Sequence, residues 1–183
     1  MYEGRVRGAI LIGVVKRAKR EPAVHKLLAP ELEAFLEKER VVVSDWYPLA
    51  ISEGLVLAIE RAVTGGNTSP LPWAFGVEMA KVQLTGPYRA FLMRGEPQRQ
   101  ILRLPVMWRG FFDDGDWKCI PRGPGAIDLQ FSGSSAKTDA TCRSAGGFLE
   151  ESSRMAGAKV VQVTKTSCAH AGAPFCGYEV RWG

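Results

Sequence analysis

Apolar residues first appear as a run, from Arg5 to Val15, rich in Ile and Val and carrying Gly8 and Gly13. That texture predicts a buried strand. Leu27, Leu28, Leu32, Phe35 and Leu36 then recur at helical spacing in a region punctuated by Pro22 and Pro30. A well-marked helix follows in residues 44–64. Ser44 or Asp45 can cap it, Pro48 suits its first turn, and Leu55, Ala58, Ile59, Ala62 and Val63 form its apolar stripe. Gly65-Gly66 is its stop signal.

A second helix is expected from Ser69-Pro70 through Phe75, Met79 and Val82, up to Gly86-Pro87. The stretch from Pro97 to Phe112 is helical in pattern, but Pro105 demands a kink or break within it. Asp113 to Gly115 turns the chain. Beyond it Ile127, Leu129 and Phe131 alternate as in a strand, and a helix is expected from Asp139 to Met155. The segments AKVVQVTKTS and FCGYEVRW close the chain as two antiparallel strands. Alternation puts Cys176, Tyr178, Val180 and Trp182 on one face, over which the helix can lay Cys142, Ala145 and Leu149. Three cysteines from distant positions then share one neighbourhood.

These elements predict an α+β domain, an antiparallel sheet built largely from the N-terminal strand and the C-terminal strands, with helices packed on one face. At 183 residues, 46% hydrophobic and 23% charged, the chain is expected to form one domain over 1–183, without a metal or disulfide needed for folding. The net charge of +5 is concentrated in Lys16, Arg17, Lys19 and Arg20, which read as a solvated turn. No nucleic-acid signature accompanies them. The first apolar run is too short to span a bilayer and lacks a cleavage site, so the expected compartment is the cytoplasm, where cysteines stay reduced.

The C-terminal segment, with Cys142, Cys168 and Cys176, resembles 4-vinyl-reductase-like small-molecule-binding domains. That resemblance implies a structural zinc beside an apolar ligand pocket, held by three cysteines and a glutamate. Lys165 stands at the glutamate position here, and an ammonium cannot ligate a cation. His170 or Cys119 is the alternative fourth ligand. Inert buried thiols and redox chemistry remain the other readings of these sulfurs.

Across its length the chain also resembles a paralogous myxobacterial domain family of unknown function. This likeness rests on Gly4 to Gly8, Trp46-Tyr47-Pro48, Gly86-Pro87-Tyr88-Arg89, Leu104-Pro105 with Trp108, and the terminal strand pair. The architecture so implied is similar to 4-vinyl-reductase-like domains and to small subunits of vesicle-tethering complexes.

No nucleophile elbow, P-loop or dinucleotide fingerprint is present, and the two histidines, His25 and His170, have no evident catalytic partner. The expected role is therefore a non-enzymatic sensory or regulatory domain. It would bind a small apolar or aromatic ligand and signal through a protein partner or a homodimer. Trp46, Tyr47, Trp73, Phe75, Tyr88, Arg89 and Trp108 are the candidate pocket residues. The alternative is a ligand-free adaptor or dimerisation module whose aromatics simply fill the core.

Overall fold

The N-terminal apolar run is a strand for only three residues. In a computed structural model describing residues 3–38, 40–67 and 69–183, β1 (Arg5–Arg7) gives way at Gly8 to helix α1 (Gly8–Arg20). The buried positions of α1, namely Ile10, Leu11, Val14, Val15 and Ala18, have the spacing of one helical face. The switch falls at a residue with no room for a side chain. A Cβ on Gly8 would lie 1.9 Å from the Val42 carbonyl oxygen, and the Gly8 amide donates to Asp45 O at 2.8 Å.

β1 pairs antiparallel with β2 (Trp46–Pro48), Val6 opposite Tyr47. This two-stranded ribbon is separate from the main sheet, so the expected joining of N-terminal and C-terminal strands does not occur. It also displaces the expected cap at Ser44 or Asp45. Helix α4 (Leu49–Thr64) starts after Pro48, and the Leu49 amide donates to Gly4 O at 2.8 Å. Backbone from the ribbon thus satisfies what a capping side chain would have done. Between these elements lie α2 (Pro22–His25) and α3 (Pro30–Lys38). Gly65, at φ 66°, ends α4 in the left-handed conformation.

Helix α5 (Leu71–Thr85) is followed by α6 (Pro97–Leu102) and α7 (Leu104–Phe111). The break between the last two comes at Arg103, which places Pro105 in the first turn of α7, where its missing N–H costs nothing.

The main sheet has the order β3-β4-β6-β5, all antiparallel, from β3 (Asp116–Gly123), β4 (Ala126–Ser132), β5 (Val161–Ser167) and β6 (Cys176–Trp182). Its inner face carries Trp117, Ile127, Leu129, Phe131, Cys176, Tyr178 and Val180, all buried. Helix α8 (Ala140–Met155) lies on that face. The Tyr178 hydroxyl donates to Cys142 O at 2.5 Å, pinning helix to sheet. Trp108 of α7 reaches the same face, edge-on to Trp117 and Phe131. The fold is α+β, and the C-terminal helix and strand pair match the sequence expectation.

Candidate functional site

Two places concentrate unusual chemistry. The first is a cavity of about 580 Å³ between α1, α4, α5 and α8. Its walls are mainly aliphatic: Ile10 and Val14 from α1, Leu49 and Val56 from α4, Met79 from α5, Ala145 from α8. Exposed residues mark its mouth, with Gly13, Lys16, Arg17 and Arg20 on α1 facing Ala74, Glu78 and Val82 on α5. Three of the four cationic residues that read as a solvated turn, Lys16, Arg17 and Arg20, therefore lie on a helix at the rim of a cavity. Lys16, Arg17 and Arg20 make no ion pair with the described residues.

Of the buried polar side chains along its wall, Glu53 and Gln83 behave differently. Glu53 is spent: its carboxylate accepts from Lys137 N at 3.0 Å, Thr138 Oγ1 at 3.0 Å and Thr141 Oγ1 at 3.1 Å. Gln83 is 3% exposed, and its Nε2 donates to Ala9 O at 2.8 Å. Its Oε1 is buried with no partner.

Of the seven candidate pocket residues, Phe75 and Trp108 line this cavity. The other five lie outside its lining. Trp46 sits beneath the Arg7 guanidinium, 3.8 Å from ring centroid to carbon. The Tyr47 hydroxyl accepts from Val42 N. Trp73 Nε1 donates to Glu150. The Tyr88 hydroxyl donates to Gly110 O, and Arg89 is exposed on a short 3-10 turn. Sequence reasoning looked for aromatics and passed over an aliphatic wall with a basic rim. The signal was present in the spacing of Lys16, Arg17 and Arg20, which falls on one side of a helix.

The second place is the sulfur cluster. Cys142, Cys168 and Cys176 offer sulfurs that all lie within 4.8 Å of one another. Cys119 and His170 are not among them. Cys119 Sγ donates to Ile101 O at 3.7 Å, and His170 is exposed in the loop after β5. Lys165 occupies the cluster instead, its Nζ donating to Cys142 Sγ at 3.0 Å and Cys168 Sγ at 3.1 Å.

This arrangement splits the thiols. Burial pushes Cys142 well above its ordinary value, against the pull of Lys165. Burial also opposes ionisation of Cys168, but the Lys165 ammonium and the His170 backbone N–H outweigh it and hold that thiol below its ordinary value. For Lys165, burial acts against the charge, yet its hydrogen bonds to the two sulfurs raise its pKa.

No family model and no curated protein matches this chain. The fold does have solved counterparts. A member of the H-NOX family, studied for haem distortion, superposes with a TM-score of 0.72 at 11% identity, over 96% of this chain and 94% of its own. The H-NOX protein from K. algicida in its Fe(II) unliganded form gives 0.70 at 9% identity, over 97% and 96%. That from S. oneidensis in the Fe(II)NO state gives 0.63 at 16% identity, over 97% and 99%. At such identities the likeness establishes the fold alone.

These neighbours correct the resemblance to 4-vinyl-reductase-like domains, and with it the kinship to the myxobacterial family and to vesicle-tethering subunits. The short motifs behind it have local structural jobs: Trp46-Tyr47-Pro48 is β2, and Leu104-Pro105 restarts a helix. The expectation of zinc falls too. The solved proteins sharing this fold are described with haem iron, and here a cationic lysine occupies the position beside two of the proposed ligands.

Proposed function

We propose that residues 1–183 act as one non-catalytic sensory or regulatory domain. It receives a small amphipathic molecule in the cavity between α1, α4, α5 and α8 and passes the signal to a protein partner. The ligand has an apolar ring body for the aliphatic walls and an anionic group for Lys16, Arg17 and Arg20. The cavity carries this reading: basic residues of α1 at its mouth and aliphatic walls within make a site for an anionic, largely apolar molecule. A cavity of about 580 Å³ also lies within the range for small-molecule sites and favours a receptor over an adaptor with a filled core.

The haem described for the H-NOX neighbours does not transfer to these residues through an axial side chain. No His, Cys or Tyr lines the cavity among the described residues, and Met79 is its one sulfur. His25 lies on α2 and His170 in the turn after β5, both outside the lining. Haem-binding proteins hold their iron through such groups. Any tetrapyrrole entering here would be held by its ring and carboxylates.

Anilinonaphthalene sulfonate, an aromatic anion, is a suitable probe. Its fluorescence should rise saturably with one site per chain. The double variant Arg17→Glu with Arg20→Glu should weaken it roughly tenfold or more, about 1.4 kcal/mol per tenfold. Haemin uptake, where it occurs, should be unchanged in His25→Ala and His170→Ala. Probe binding indifferent to the rim charges, or a haem absorption lost with either histidine, would sink the reading.

A further inference from the structure

We propose that Cys168 and Cys142 are a hydroperoxide-responsive thiol pair that closes to a disulfide, with Lys165 as the residue that positions both sulfurs. One ammonium holds the two at 3.0 and 3.1 Å, and the sulfurs themselves are within 4.8 Å. Lys165 has no carboxylate partner among the described residues, so this contact is not a by-product of an ion pair. The pair is asymmetric in the way such chemistry requires. Cys168 is half-buried where the chain leaves β5, open to a small oxidant, while Cys142 is 1% exposed on α8. An accessible thiol beside a cation, with a buried thiol close by to resolve it, is the arrangement of a reversible redox site.

The third sulfur is otherwise engaged. Cys176 is buried at the start of β6 and accepts from Ala169 N at 3.3 Å. Cys142 is also held from its other side, donating to Asp139 O at 3.1 Å.

The chemistry balances with a hydroperoxide as oxidant. Cys168 sulfur attacks the terminal peroxide oxygen; the O–O bond breaks, an S–O bond forms, and with hydrogen peroxide one water leaves, giving the sulfenic acid. Cys142 sulfur then attacks Cys168 sulfur; the S–O bond breaks, the S–S bond forms, and the Cys142 proton leaves with the hydroxide as a second water. The two thiols lose two electrons, and the peroxide gains them. The product ties β5 to α8, the helix whose Thr141 and Ala145 wall the cavity. Oxidation would therefore staple one wall of that cavity to the sheet, although the disulfide itself does not depend on any ligand.

The full chain treated with equimolar hydrogen peroxide should lose about 2 Da, and non-reducing peptide mapping should join the Cys142 and Cys168 peptides. Cys142→Ser should instead trap a dimedone-reactive sulfenic acid at Cys168, and Cys168→Ser should abolish both products. Lys165→Met should slow closure roughly tenfold and Lys165→Arg should restore most of the rate, which a purely structural lysine would not produce. Over-oxidation of Cys168 without the mass loss overturns the proposal. So does a Cys168–Cys176 bridge in its place, or a closure rate untouched in Lys165→Met.

Discussion

Helix α5 has two faces that were built to opposite ends. Toward α8 it packs as closely as two backbones allow. A Cβ on Gly76 would lie 1.8 Å from Ser144 O, and one on Gly147 would lie 2.0 Å from Trp73 O. Toward α1 the same helix is joined by the Gln83 amide, which donates to Ala9 O, and leaves the cavity beside that contact. On the close side Arg143 of α8 reaches Glu60 of α4 with two hydrogen bonds at 2.9 Å and Asp139 at 3.1 Å. The close side leaves no space between the two backbones, whereas the open side holds a cavity.

The largest expected effect comes from forcing the close face apart. Gly147→Val would drive side-chain atoms into the Trp73 carbonyl, a contact that no rotamer relieves. Loss of more than about 4 kcal/mol is expected, read as loss of cooperative thermal unfolding. An intact melt would show that α5 and α8 are not held at this distance.

Next comes the buried ion pair. The Arg143 guanidinium, aided by hydrogen bonds from Ser69 and opposed by burial, holds Glu60 at about 2 against an ordinary 4.5. A depressed carboxylate stabilises the folded state above its unfolded value and stops doing so as pH falls through the folded one. Glu60→Gln should therefore cost about 3 kcal/mol at neutral pH, since each tenfold change in proton affinity between folded and unfolded chain is worth about 1.4 kcal/mol. The gap to the parent should shrink between pH 4.5 and pH 2. Urea melts across that range measure it, and a gap constant with pH would show that the pair does not carry the difference.

The smallest effect belongs to the open face. Gly13 sits inside α1 at the cavity mouth, with nothing within 4 Å of where its Cβ would be. Gly13→Ala should raise stability by about 0.5–1 kcal/mol, since an interior helical glycine is disfavoured by that much against alanine. A destabilised Gly13→Ala would mean that this space is filled in solution.

The contrast also explains which features were legible from residue order alone. The C-terminal helix and strand pair were legible because their buried positions keep strict periods: Cys176, Tyr178 and Val180 alternate, and Cys142, Ala145 and Leu149 form one stripe. Their sulfurs met as the register required. The N-terminal run misled because Ile and Val favour strands wherever they occur, although Ile10, Leu11, Val14, Val15 and Ala18 carry helical spacing. β3 escaped notice because an edge strand with Pro121, Lys118 and Arg122 alternates poorly. The cavity was legible only in part, through Phe75, Trp108 and the side of α1 that Lys16, Arg17 and Arg20 share. A space between helices is the absence of packing, and no residue type encodes it. Its aromatic candidates were mostly spent elsewhere, as with Trp46 under Arg7 and Trp73 against Glu150.

Gly76, Gly146 and Gly147 have one more consequence. Helices pressed backbone to backbone have no slack in which to slide, so α5 and α8 must travel as a single beam. The space beside them is bounded on its other sides by α1 and α4. The front end of α1 is moored to the ribbon through Gly8 and Ala9, whose amides bond Asp45 and Val43. Its rear end carries Arg17 and Arg20, which stand exposed at the rim of that space.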